Sequence, residues 1–307
     1  MKTAILLSGT AYNFRYSIKS IMDNMVIPND ADVFILTSRY NLRRKTPQGE
    51  IVSADSPKEW HEKSLGMIRD ETSPLSDEDI NFIKEVFGES LKSINIIDDM
   101  PQYMEYLEQQ RINMMNTVNL YRRTTHLNPP FGGDVEGTFN NNIRCVVDQY
   151  NNIKKCYEIM EQYSLSNGIE YNYVARVRID FIVPEKFDFS WYYLNHDHPY
   201  LYSCGSFRRD VIEWADEFCF FARKETAKKI FSNLNLMGFI VDKKYNTFHH
   251  AQNNDYTFAA ETQFSLLLYE LNITVVNLKI YRSSCYTNGG DGFDYLNYMF
   301  RFDSVDL

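Results

Sequence analysis

The stretch Tyr171-Asn172-Tyr173-Val174-Ala175-Arg176-Val177-Arg178-Ile179-Asp180-Phe181-Ile182-Val183-Pro184 constrains this chain more than any other. Its apolar run reads as a buried β-strand that closes on two arginines and a carboxylate before Pro184 stops it. Alternation puts Arg176, Arg178 and Asp180 on one face. Charges at the end of a buried strand are costly unless they meet a partner. Two kinds of partner fit: an internal Arg–Asp ion pair, or an anionic, metal-bearing ligand at the carboxyl edge of an α/β sheet. For the second, guanidinium forks suit a diphosphate and a carboxylate suits a divalent cation.

The rest of the chain supports such a sheet. Thr3–Ser8 is a short apolar run closed by Gly9. A helical pattern from about Asn13 follows, broken at Pro28-Asn29-Asp30, and Asp32–Thr37 is a second buried strand. Strand, helix and strand in the first forty or so residues make a βαβ unit, which predicts parallel pairing with a right-handed crossover. A polar excursion covers 39–75. Ser76 starts a helix as a capping-box residue and Gly88 ends it; Ser93–Ile97 is a third candidate strand. Asn128–Asp134 signals a loop. Ile143, Val146, Val147, Tyr150, Ile153, Tyr157 and Met160 mark a long amphipathic helix leading into the charged strand. Further helices are expected from Lys224 to Gly238 and from Tyr256 to Leu271, with a last strand over Ile273–Ile280. The expectation is one α/β domain over 1–307, divided into a ligand-binding part (1–183) and a second part (184–307).

A net charge of −9 argues against a general nucleic-acid binder but leaves room for a local basic pocket. Five dispersed cysteines without metal-ligand spacing point to a reducing compartment. The opening apolar run is too short for a signal peptide, and no stretch approaches a membrane span, so a soluble cytoplasmic protein is expected.

The first turn, Ser8-Gly9-Thr10 with Arg15 a turn into the following helix, has backbone N–H groups suited to an anion. It lacks both a G-x-G-x-x-G fingerprint and a Walker lysine, and an ordinary tight turn accounts for it equally well. His196-Asp197-His198 and His249-His250 have no metal-ligand spacing and read as solvated loop residues.

With Arg176-x-Arg178-x-Asp180 the chain resembles bacterial and large-DNA-virus glycosyltransferases of the GT-A fold, which carry Arg-x-Arg-x-Asp in place of a two-aspartate metal motif. Ser8-Gly9, Pro28–Ile35, Gln149, Cys156-Tyr157, Tyr171–Val174, Trp214–Phe218 and Glu261 fit the same pattern. Two departures stand out: Thr10 and Tyr12 where the family often has Ser-Gly-Gln-x-Arg, and Ile179 where it commonly has Pro. The resemblance implies a GT-A-like, Rossmann-type, mainly parallel sheet flanked by helices. It implies transfer of a sugar from a nucleotide-sugar donor to a glycan or other hydroxyl acceptor. Ser8, Gly9, Thr10, Arg15, Thr37, Arg176, Arg178 and Asp180 would meet the donor, with Mn²⁺ or Mg²⁺ on Asp180. Asp216 and Glu261 would face the acceptor as candidate catalytic carboxylates. Two other readings remain open: a nucleotidyltransferase-like enzyme on a related sheet, and a catalytically silent glycan-binding module.

Overall fold

The computed structural model describes residues 2–9, 11, 14–39, 43–45, 68–70, 75–125, 136–181, 183, 186–189, 199–203, 206–209, 212–215, 219–234 and 260–277. Six successive buried residues, Thr3–Ser8, form β1, and six more, Asp32–Thr37, form β2 parallel to it, Ser8 opposite Leu36. Between them runs α1, Phe14–Ile21, prolonged by a π turn over Met22–Val26 and a 3₁₀ turn over Ile27–Asn29. Pro28 and the left-handed Asp30 (φ 44°) end this helical stretch.

The polar excursion holds a small antiparallel pair, β3 (Arg43–Lys45) with β4 (Ile68–Asp70). Helix α2, Asp77–Phe87, begins with a complete capping box. The Asp79 amide donates to Ser76 Oγ at 3.2 Å, and Asp79 Oδ2 accepts from the Ser76 amide at 3.0 Å. Gly88 follows at φ 49° as its cap, and β5, Leu91–Ile96, extends the sheet beyond β2.

Two long helices come next, α3 (Pro101–Thr125) and α4 (Glu136–Asn167), leading into β6, Tyr173–Arg178. Then follow β7 (Tyr200–Ser203), the antiparallel pair β8 (Ser206–Arg209) and β9 (Ile212–Ala215), and β10 (Cys219–Arg223). The described chain finishes with α5 (Lys224–Ser232), α6 (Ala260–Glu270) and β11 (Thr274–Asn277).

The main sheet has seven strands in the order β11-β7-β10-β6-β1-β2-β5, parallel throughout except for β10. Apolar side chains fill both its faces, as an α/β sheet requires. Ile5, Leu7, Val33, Ile35, Ala175 and Val177 pack with Phe14 and Ile18 of α1 and Ile83 of α2. The alternate residues Leu6, Phe34, Leu36, Val174 and Phe220 pack with Val147, Ile153 and Met160 of α4, Phe231 of α5 and Phe264 of α6. This mainly parallel, helix-flanked α/β sheet is the expected fold class.

The topology singles out one crevice. From β1 the chain steps outward to β2 and β5, then returns through α3 and α4 to lay β6 on the other side of β1. The strand order therefore reverses between β1 and β6. In open α/β sheets, ligands bind at the carboxyl ends of the strands flanking such a reversal.

Several elements differ from the sequence expectation. No helix was expected over Pro101–Thr125, where polar residues dilute the apolar stripe. Strands β7 and β10 lie in segments read only as aromatic-rich; both are short and buried on both sides, so they lack alternation. The third strand starts at Leu91 rather than Ser93. The expected loop at Asn128–Asp134, the His196–His198 and His249-His250 groups, Gly238 and the strand's expected end at Ile280 lie outside the described residues.

Candidate active site at the carboxyl edge of the sheet

Strands β1 and β6 pair in parallel with Leu6 opposite Arg176 and Ser8 opposite Arg178. Alternation from Leu6 and Val174 puts Ser8, Arg176 and Arg178 on the α4 face of the sheet. Ser8 is 1% exposed, and its hydroxyl has no hydrogen-bond partner among the described residues. A buried polar atom in that state, at the mouth of a switch-point crevice, is suited to a ligand atom.

The two arginines have different surroundings. Arg176 is 1% exposed, the largest wholly buried side chain described, and donates to the Ser8 carbonyl at 3.5 Å. It lies beside Cys156 of α4, whose thiol contacts the Phe34 carbonyl at 3.5 Å. Burial pushes that thiol up to about 12, with the Arg176 charge pulling the other way. Arg178, at the strand's last residue, is partly open to solvent. Its Nε donates to Asp180 Oδ1 at 2.8 Å and its Nη2 to Asp180 Oδ2 at 2.7 Å.

Asp180 lies just past the strand on the side of Arg178: Val177, Ile179 and Phe181 all pack against the α1 face, and the Asp180 carboxylate meets the Arg178 guanidinium. β6 ends at Arg178, and the Phe181 amide closes a turn onto the Arg178 carbonyl at 2.9 Å. That turn is pinned from α1 and the turns after it. Ser17 Oγ donates to the Ile179 carbonyl at 2.6 Å, the Val183 amide donates to Ser20 Oγ at 3.0 Å, and Asn24 Nδ2 donates to the Val183 carbonyl at 2.6 Å. The turn holds the carboxylate against Arg178. Asp180 is 0% exposed, so the Arg–Asp ion pair weighed from the sequence is present.

This donor set does not fit a divalent cation. Both Asp180 oxygens are engaged by one guanidinium, and no group of three or more His, Cys, Asp or Glu suited to a metal occurs among the described residues. A Mg²⁺ or Mn²⁺ site needs open carboxylate oxygens.

The remaining sequence candidates divide. Gly9 follows β1 at φ 122°, a backbone state that side-chain-bearing residues rarely adopt. Thr37, at the end of β2, donates its hydroxyl to the Gly9 carbonyl at 2.8 Å and so holds the turn. Arg15 is brought elsewhere: its guanidinium donates to Asp79 Oδ1 at 2.9 Å and lies 4.7 Å over the Phe82 ring, bracing α1 against α2. Thr10 and Asp216 lie outside the described residues. Glu261 is the second residue of α6, and its side chain is outside the description.

One cluster at this edge escaped the sequence reading. Asp98 Oδ2, just past β5, accepts from Ser38 Oγ at 2.9 Å and from the Arg39 amide at 2.6 Å, and Arg39 forks onto Asp99 at 2.7 and 3.2 Å. These contacts tie the carboxyl ends of β2 and β5 together. The signal was the Asp98-Asp99 pair directly after a strand, opposite Ser38-Arg39 directly after another.

No protein-family model matches the chain, and no curated protein matches it. Among solved structures the chain is similar to one described as PaToxG Glycosyltransferase. The match has 12% sequence identity, covers 88% of this chain and 68% of that one, and has a TM-score of 0.32. Among the described residues, no helix is long and apolar enough to cross a membrane.

Proposed function

We propose that the crevice between β1 and β6 binds the diphosphate of a nucleotide-sugar and that the chain transfers the sugar to a hydroxyl acceptor. The observation that carries this reading is the register of Ser8 against Arg178 at the switch point. It sets a glycine turn and a buried hydroxyl with no partner among the described residues beside a guanidinium oriented by a carboxylate. Glycosyl transfer requires stabilisation of the leaving diphosphate as its charge develops, which preorganised donors supply without reorganising.

In this reading Arg178 is the diphosphate-binding group, and Asp180 positions it through the Nε–Nη2 edge. Arg176 supplies a buried positive charge beneath the turn. Ser8 Oγ and the Gly9 turn contribute neutral hydrogen bonds, and Thr37 holds that turn in shape. The donor is bound by residues 1–183 and the acceptor by residues 184–307, with Asp216 or Glu261 taking the acceptor proton if the anomeric centre inverts.

A product assay tests the proposal. The full chain is incubated with a panel of nucleotide-sugars and mixed glycan acceptors, with Mn²⁺ and separately with a chelator. Release of a nucleoside diphosphate from one donor is the expected result. Release of pyrophosphate from a sugar phosphate and a nucleoside triphosphate would point instead to nucleotidyl transfer. No turnover with any donor would leave a silent binding module.

A further inference from the structure

A second cleft shares no lining residue with the β1–β6 crevice. This cleft of about 590 Å³ opens between the first turn of α3 and the middle of α4, lined by Gln102, Tyr103, Tyr106, Lys154, Lys155 and Glu158 among others. Its floor is aromatic and held rigidly. The Tyr103 and Tyr106 rings stack at 5.9 Å with 19° between their planes. Each hydroxyl is tied to α4, Tyr103 to Asn152 Oδ1 at 2.9 Å and Tyr106 to Asn151 Oδ1 at 3.0 Å. Tyr106 is nonetheless 42% exposed. An aromatic ring fixed at its polar tip and left open along its body offers a flat apolar platform.

Two lysines and one carboxylate, Glu158, line its walls. Lys154 has no carboxylate partner among the described residues, and Lys155 pairs with Glu158 at 3.4 Å while lying 5.8 Å above the Tyr103 ring. The α3 N-terminus adds backbone N–H groups at the same end, because Pro101 and Gln102 open that helix at the cleft. Gln102 presents an exposed amide that can donate and accept at once. The Lys154 ammonium, the Lys155–Glu158 pair, a helix N-terminus, an amide and a ring platform match one ligand chemistry: a saccharide with an apolar ring face, hydroxyls for the pair to bond, and a negative charge for Lys154.

We propose that this cleft is a binding site for an acidic saccharide, with a pyranose ring on Tyr106, its hydroxyls on the Lys155–Glu158 pair and its carboxylate or phosphate on Lys154. None of these residues belongs to the diphosphate crevice, so the site stands whether or not the chain transfers sugars.

Calorimetric titration of the full chain with a trisaccharide of galacturonic acid tests this, with the neutral galactose trisaccharide and adenosine monophosphate alongside. The acidic trisaccharide should bind at least tenfold more tightly than either, weaken with added salt, and lose tenfold or more in Lys154→Gln and in Tyr106→Ala. Both positions are open enough to keep the fold, which far-UV circular dichroism of each variant checks. Equal affinity for the neutral trisaccharide, tighter binding of the nucleotide, unchanged affinity in both variants, or no acidic-saccharide binding at millimolar concentration would each overturn the proposal. Nucleoside diphosphate binding should be unaffected by either variant, so failure here is distinguishable from failure at the β1–β6 crevice.

Discussion

Arg178 and Asp180 form a two-pronged ion pair, at 2.8 and 2.7 Å, across a turn that leaves the carboxylate with no exposed surface. Removing one partner strands a buried charge, whereas removing both removes the conflict. Arg178→Met should therefore lower unfolding stability by about 3–5 kcal/mol. The double variant Arg178→Met/Asp180→Asn should recover most of that loss. Urea unfolding of the three proteins checks it, and a single variant as stable as the parent would contradict the pairing.

The Gly9 turn makes a second prediction. A Cβ added at Gly9 would meet nothing within 4 Å, so the cost of Gly9→Ala lies in its φ of 122° rather than in space. That cost should be about 1–3 kcal/mol. Thr37→Val keeps the shape and deletes the 2.8 Å hydrogen bond to the Gly9 carbonyl, at about 1 kcal/mol. In the proposed mechanism both variants also weaken donor binding, which a thermal-shift titration reads separately from stability.

Alkaline pH should unfold the protein through its tyrosines. Burial raises the hydroxyls of Tyr103, Tyr157 and Tyr171 well above the ordinary range, and the Asp32 carboxylate adds to the effect on Tyr171. The native state holds these protons after the unfolded state, titrating near pH 10, has released them. Stability is then complete below about pH 10 and falls above it, by up to about 1.4 kcal/mol per pH unit for each such group. Chemical denaturation at a series of pH values, with phenolate absorbance as the second probe, should show this decline. Tyrosines that ionise in the native protein with ordinary midpoints would refute it.

Cys156 should be inert. Its thiol is wholly buried against the sheet and pushed up to about 12, so little thiolate forms at neutral pH. Iodoacetamide at pH 8 should leave it unmodified in the native protein and label it after denaturation, as peptide mass spectrometry would report. Rapid native labelling would contradict the packing of α4 on β1 and β2.

The strands with continuous apolar runs, Thr3–Ser8, Asp32–Thr37 and Tyr173–Arg178, were legible because burial on both faces leaves a composition signal that survives without long-range information. The capping box at Ser76 and the stop at Gly88 were legible because they are local chemistry. What escaped depended on tertiary contact. The antiparallel β10 is inserted between β6 and β7 by long-range pairing and core packing, and α3 is held less by periodicity than by cross-helix bonds such as the Arg111 fork onto Asp148 at 2.7 and 2.8 Å. The same applies at the site. Alternation brought Ser8, Arg178 and Asp180 to one edge, and what it missed is that the strand ends at Arg178 with the carboxylate paired to that guanidinium. The Phe181–Arg178 turn and the Ser17 hydroxyl end the strand there, and neither is visible in a two-residue period. Arg15 illustrates the converse. Its place near the first turn suggested a phosphate contact, whereas the α2 capping residue Asp79 claims its guanidinium.

The most direct test is calorimetric binding of a panel of nucleoside diphosphates, in chelator, to the parent chain and to Arg178→Met/Asp180→Asn, the variant that leaves no stranded charge. The account predicts that at least one diphosphate binds the parent with micromolar affinity and that the double variant binds it at least tenfold more weakly while remaining folded. Equal binding by both proteins, or no diphosphate bound by the parent, would contradict it.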